Sequence, residues 1–213
     1  MLLALPAQAR PDLCESAARA AAREAGIPAT VLLAITLAET GRRMDGQLRP
    51  WPWAANAEGQ GHWFATRAEA VAFARATLAR GQRNLDLGCF QINWRWHGQG
   101  FTAPEALLDP PTAARYAARL LSDLHDEFGS WEAAAGAYHS RTPAFANRYR
   151  ARFRQILAAL GDTPANLAAP PRDDRPANAL PAPGYPLFAG SAAGASLVPA
   201  TLPAARPLFE DTP

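Results

Sequence analysis

From Asp12 to about Leu160 the chain alternates blocks of helical apolar spacing with short loops, and beyond that point the periodicity fades. Ala17-Ala18-Arg19-Ala20-Ala21-Ala22-Arg23-Glu24 is a run of strong helix formers that stops at Gly26, a residue suited to ending a helix. Pro28 predicts the first turn of a second helix, where a missing N–H is harmless. The segment that follows, Val31-Leu32-Leu33-Ala34-Ile35-Thr36-Leu37-Ala38, is apolar nearly all round, as in a helix buried on every side. Glu39 stands at its end. Arg49 to Phe64 reads as an irregular aromatic segment with strand-like pieces and a turn at Glu58-Gly59-Gln60-Gly61. Thr66-Arg67-Ala68-Glu69 is a capping box, predicting a helix to about Arg80 ended by Gly81. Further helices are expected from Pro111 to Phe128, Trp131 to Tyr138 and about Pro143 to Leu160, with Asp109 and Ser130 as caps. The pattern predicts an α+β fold, mainly α, with a small irregular β region.

A chain of 213 residues suits one domain with something left over. The expected domain spans residues 10–160. Residues 161–213 hold more than half of the 20 prolines and are expected to form a flexible tail. Within it, Tyr185-Pro186-Leu187-Phe188 and Arg206-Pro207-Leu208-Phe209 repeat a Pro-Leu-Phe element, which is either chance or a pair of anchors for an assembly partner. Residues 1–9 read as the remnant of an export signal, with Ala7-Gln8-Ala9 as a small-x-small cleavage site leaving Arg10 first. They lack a positive n-region, so a merely greasy N-terminus is the alternative.

Composition narrows the function class. No apolar run approaches the roughly 20 residues that span a bilayer. The formal net charge of +2, with all 21 basic residues arginine, lacks the footprint of a nucleic-acid binder. Cys14 and Cys89 would pair in an oxidising compartment such as the periplasm; in a reduced one they would be buried thiols. His62, His97, His125 and His139 are scattered without metal-site spacing, and neither a nucleophile elbow nor a phosphate loop occurs. The expectation is an activity without metal or cofactor.

Glu39, which taken alone could be an ordinary glutamate reaching solvent at a helix end, is the leading chemical candidate once the rest of the sequence is considered. A carboxyl held against apolar neighbours has its ionised form destabilised, so it keeps a proton near neutral pH and can act as a general acid. Asp86-Leu87-Gly88-Cys89-Phe90-Gln91-Ile92-Asn93, taken as extended, would put Gln91 and Asn93 on one side, as amides suited to the N-acetyl and hydroxyl groups of a sugar. Trp51, Trp53, Trp63, Trp94 and Trp96 offer flat faces for sugar rings, or belong to the core. A hydrolase with two carboxylates would need a second acid, for which Asp86 and Asp45 are the candidates. Bracing the loop is the other role open to Asp86.

Three motifs in order carry a resemblance: Ala34-Ile35-Thr36-Leu37-Ala38-Glu39-Thr40-Gly41, Gly88-Cys89-Phe90-Gln91-Ile92-Asn93 and Ala137-Tyr138-His139-Ser140. Together they resemble the soluble lytic transglycosylase (SLT) family, related to goose-type lysozyme, over roughly Asp12 to Leu160. The resemblance implies a lysozyme-like fold acting on peptidoglycan glycan strands at the β-1,4 bond between N-acetylmuramic acid and N-acetylglucosamine. It implies Glu39 as catalytic acid and base, with formation of a 1,6-anhydromuramoyl product. Gln91 and Tyr138 then align with family positions, and Asn56 resembles an asparagine in the loop beyond the catalytic helix. Substrate-binding roles are thus expected for Gln91, Asn93, Tyr138, Thr40 and Asn56. Thr40 stands where the family has serine, and His139-Ser140 departs from its pattern after the tyrosine. The expectation is a periplasmic monomer without cofactor, whose tail is either a plain linker or an arm that binds a protein of an envelope-spanning machine. The rivals are a muramidase that uses water and a catalytically idle wall-binding protein on the same fold.

Overall fold

The computed structural model describes residues 10–161; the expected signal remnant at 1–9 and the two Pro-Leu-Phe elements of the tail lie outside the described residues. Helix α1 (Asp12–Ala25) ends where its composition predicts, with Gly26 at φ 66°. The Gly26 and Ile27 N–H groups bond back to Arg23 and Ala22, closing the last turn. Its buried face of Cys14, Ala17, Ala18, Ala21 and Ala22 is small, which lets it lie along helix α5 (Pro110–Phe128).

Helix α2 (Ala29–Thr40) begins one residue later than predicted. Pro28 is extended at ψ 129° and stands just before the helix instead of within its first turn. Every residue from Val31 to Ala38 is buried, between α1 on one side and α7 (Pro143–Ala159) on the other. Each large aliphatic side chain so buried stabilises the fold by about 1.5–3 kcal/mol. The helix stops at Gly41, which turns extended at ψ 127° and where a Cβ would run into the Leu37 carbonyl oxygen and the Leu48 side chain.

The β region is more regular than its sequence indicates. Strands β1 (Arg42–Met44) and β2 (Gln47–Arg49) form a separate antiparallel hairpin, not predicted above, around Asp45 and Gly46 at φ 49° and 79°. Two consecutive residues of positive φ mark a tight hairpin turn. Strands β3 (Ala54–Ala57), β4 (Gln60–Trp63), β5 (Leu85–Leu87) and β6 (Ile92–Asn93) form an antiparallel sheet ordered β4-β3-β5-β6. Helix α3 (Arg67–Ala79) carries the expected capping box.

Helix α4 (Trp94–His97) leads through two single 3-10 turns to α5, whose cap Asp109 accepts from the Thr112 N–H at 3.1 Å. Helix α6 (Trp131–His139) is capped by Ser130, and α6 packs against both α5 and α7. The chain is mainly α with a small antiparallel β region. No described helix is long and apolar enough to cross a membrane.

Candidate active site

Glu39 is the one residue from Val31 to Thr40 that is half-buried and not buried. Its Oε1 accepts a hydrogen bond from the Tyr149 hydroxyl of α7 at 2.7 Å. Burial raises its pKa from 4.5 to about 8, opposed by the Tyr149 hydrogen bond, assisted by the Asp86 charge and opposed again by Arg152. A carboxyl with that proton affinity is protonated at neutral pH and still able to ionise, as an acid that must later act as a base requires.

The segment from Gly88 to Gln91 is a tight turn between β5 and β6, which corrects the extended reading of Asp86 to Asn93. Gln91 has φ 44° and its N–H bonds back to Gly88 O at 3.2 Å, so Gln91 and Asn93 do not share a strand face. Gly88 sits at φ 72° with the Leu107 carbonyl where a Cβ would be, so no side chain fits. The turn is clamped from three helices. Thr36 of α2 donates to Cys89 O at 2.8 Å, and the Thr40 hydroxyl is within 3.3 Å of the same oxygen. Tyr138 of α6 donates to Phe90 O at 2.7 Å. A disulfide joins Cys89 to Cys14 of α1, with Cα atoms 5.6 Å apart.

The residues expected at the site therefore divide. Gln91 is buried, with Nε2 donating to Gly88 O at 3.0 Å and Ala54 O at 3.3 Å, while its Oε1 has no hydrogen-bond partner. An unmet buried acceptor costs about 1–3 kcal/mol, so the Gln91 oxygen is a local source of instability in the turn. Thr40 is fully buried, bonded to Thr36 O and receiving the Trp51 N–H, and it works as a joint between α2 and its surroundings. Asn93 spends its amide on Asn84 and Asp86 and its oxygen on the Arg95 N–H. Asn56 accepts from the Gly59 N–H and shapes the β3–β4 turn.

Asp86 lies on β5, opposite Asn56 on β3 and Asn93 on β6. Burial first, with the Glu58 charge adding and the Asn93 hydrogen bond opposing, raises its pKa to about 7. Asp45, the other second-acid candidate, is an exposed residue at the tip of the β1–β2 hairpin. Of the tryptophans, Trp53 is buried in the core, whereas Trp51, Trp63, Trp94 and Trp96 are half-buried. Among the described residues, no group of three or more His, Cys, Asp or Glu side chains could hold a metal ion.

Two residues at the site went unpredicted. Tyr149 lies with Phe153 and Ile156 on the buried face of α7, at the spacing of one helix stripe. A buried tyrosine hydroxyl needs a partner, but nothing in the local sequence marks Glu39, 110 residues away, as that partner. Arg152, one turn further, supplies the positive charge that opposes the rise at Glu39.

No family model, curated protein or solved structure matches this chain.

Proposed function

We propose that the chain is a peptidoglycan lytic transglycosylase of lysozyme-like fold, cutting the β-1,4 bond between N-acetylmuramic acid and N-acetylglucosamine. The observation that carries this reading is Glu39, a single carboxyl at the end of an apolar helix whose pKa is raised to about 8. Its proton passes to the bridging oxygen as the C1–O bond breaks. The resulting carboxylate takes the proton of the muramoyl C6 hydroxyl, whose oxygen bonds to C1 and closes the 1,6-anhydro ring. No water is consumed, and one carboxyl serves both steps.

The free Oε1 of Gln91 supports recognition of an acetamido N–H, since it is the buried acceptor left unpaired beside the Cys89–Phe90 turn. A second reading, hydrolysis by a muramidase, draws on Asp86, whose charge reaches Glu39. Against it stands the pKa of about 7 that burial imposes on Asp86, against the Asn93 hydrogen bond, which leaves it a poor permanent anion. In this proposal the protein works in the periplasm, and the tail beyond residue 161 binds a protein of an envelope-spanning machine. The test is mass spectrometry of sacculi digested with purified protein. Anhydromuropeptides support the transglycosylase, reducing ends support the muramidase, and intact sacculi reject both.

A further inference from the structure

The β1–β2 hairpin carries Arg42, Arg43 and Arg49, and Arg42 is directly opposite Arg49 in the strand register. Like charges so placed repel unless each finds a partner. Arg49 has one, since its Nε lies 2.8 Å from Glu15 Oε1 of α1. Arg42 does not take a carboxylate. Its guanidinium carbon lies 4.8 Å from the Trp51 ring centroid and 5.4 Å from that of Trp63. Indole faces attract the cation but accept none of its five N–H groups. Among the described residues Arg42 makes no ion pair and no side-chain hydrogen bond.

The cradle is stiff and close to Glu39. Trp51 is pinned by its Nε1–H on Phe64 O at 2.9 Å and by its backbone N–H on Thr40 Oγ1 at 3.2 Å. Trp63 belongs to β4 and pairs with Ala54 of β3. Arg42 follows Glu39 by three positions, which keeps their Cα atoms within about 11 Å. A guanidinium stacked on rings presents its donors at its edge, in the fork geometry that a carboxylate fills. We infer that Arg42, held by Trp51 and Trp63, forms a carboxylate-binding subsite beside Glu39 that recognises the acidic substituent of a muramoyl sugar. This rests on the reading of the substrate given above. The muramoyl sugar bears a lactyl ether that is either a free carboxylate or continued by a peptide with carboxylates of its own. A polymer of N-acetylglucosamine alone offers the same bond without the charge.

The experiment titrates Glu39→Gln protein, which prevents turnover, with three soluble tetrasaccharides and follows intrinsic tryptophan fluorescence. One is the alternating N-acetylglucosamine and N-acetylmuramic acid oligomer with its peptides, one the same oligomer with free lactyl carboxylates, and one contains only N-acetylglucosamine. Adding Arg42→Gln should weaken binding of a carboxylate-bearing oligomer roughly tenfold or more, the scale of a charge-assisted hydrogen bond, and leave the third oligomer unchanged. A loss confined to the peptide-bearing oligomer assigns the peptide carboxylate; a loss that includes the stripped oligomer assigns the lactyl group. Arg42→Lys, which keeps charge but not the fork, should recover only part of the loss. Equal weakening of all three, or of none, overturns the subsite and leaves Arg42 as a staple of the hairpin. If wild-type protein cuts no glycan yet the Arg42 dependence persists, the catalytic reading fails and the subsite stands.

Discussion

The helical shell and the Gly88–Gln91 turn are built by opposite rules. In the shell, Asp109 and Ser130 cap their helices and Gly26 closes another, so the helix ends find partners close in sequence. In the turn, a non-glycine residue sits at positive φ, a buried amide oxygen is unmet, and carboxyls with raised pKa lie near by. Each feature costs stability, and the turn persists because Thr36, Tyr138 and the Cys14–Cys89 disulfide hold it from outside. Unfavourable local choices gathered at one place and offset by distant anchors are what a site of chemistry looks like.

Replacing Glu39 is the sharpest way to break this contrast. Glu39→Gln keeps shape but removes the transferable proton, so release of glycan fragments should fall about 10²- to 10⁴-fold. Stability should move the other way. Between the unfolded pKa of 4.5 and the folded value of about 8, folding takes up a proton, so this group's contribution to stability declines as pH rises through that window. The melting temperature of Glu39→Gln relative to wild type should therefore climb from pH 4.5 to 8. A flat difference across that range means the carboxyl is not raised.

Next in size is the disulfide. It spans 75 residues, and loop entropy alone assigns it about 4 kcal/mol as an upper figure, with 2–4 typical. The Cys14→Ser, Cys89→Ser double variant should melt lower, and hydrogen exchange should show the loosening concentrated at Gly88–Gln91. Uniform loosening across α5 and α6 would erase the distinction between shell and turn.

The two regions also differ in how far they are legible in the sequence. Helix ends were readable because Gly26, Thr66 with Glu69, Asp109 and Ser130 act on groups within a few residues of themselves. The β1–β2 hairpin escaped because three-residue strands such as Arg42-Arg43-Met44 carry no alternation, although Asp45-Gly46 is a strong turn pair. The position of Gln91 was misread because it depends on a turn that only Gly88 signals. Glu39 was legible as the lone charge on an apolar helix; Tyr149 was not, being 110 residues away. Cys14 and Cys89 were visible as a pair, whereas the threonine clamps on Cys89 O were hidden in the three-dimensional approach of α2.

On the shell side, the expected effects are ordinary. Asp109→Ala removes the side-chain acceptor for the Thr112 N–H at the start of α5. Chemical denaturation should report a loss of about 1 kcal/mol, and glycan release should be unchanged. A variant that kept its stability but lost activity would mean that α5 communicates with Glu39 more directly than its packing indicates.

The smallest expected effect lies at the contact between the two regions, where Tyr149 of the shell donates to Glu39 Oε1 at 2.7 Å. The bond favours the ionised carboxyl and so holds the Glu39 pKa below the value that burial alone would impose. Tyr149→Phe keeps the ring and deletes the hydroxyl. The Glu39 pKa must then rise, and the alkaline limb of the activity profile, where the general acid loses its proton, should move upward by about one pH unit or less. Arg152 opposes the same rise, so Arg152→Gln should shift the limb in the same direction. Below the limb, the Tyr149→Phe rate should fall a few-fold at most, because the proton remains and only its orientation is lost. A purely structural tyrosine would lower the rate at every pH without moving the limb. A downward shift would mean that the hydroxyl favours the neutral acid, and the assignment of Tyr149 as donor to Glu39 would have to be reversed.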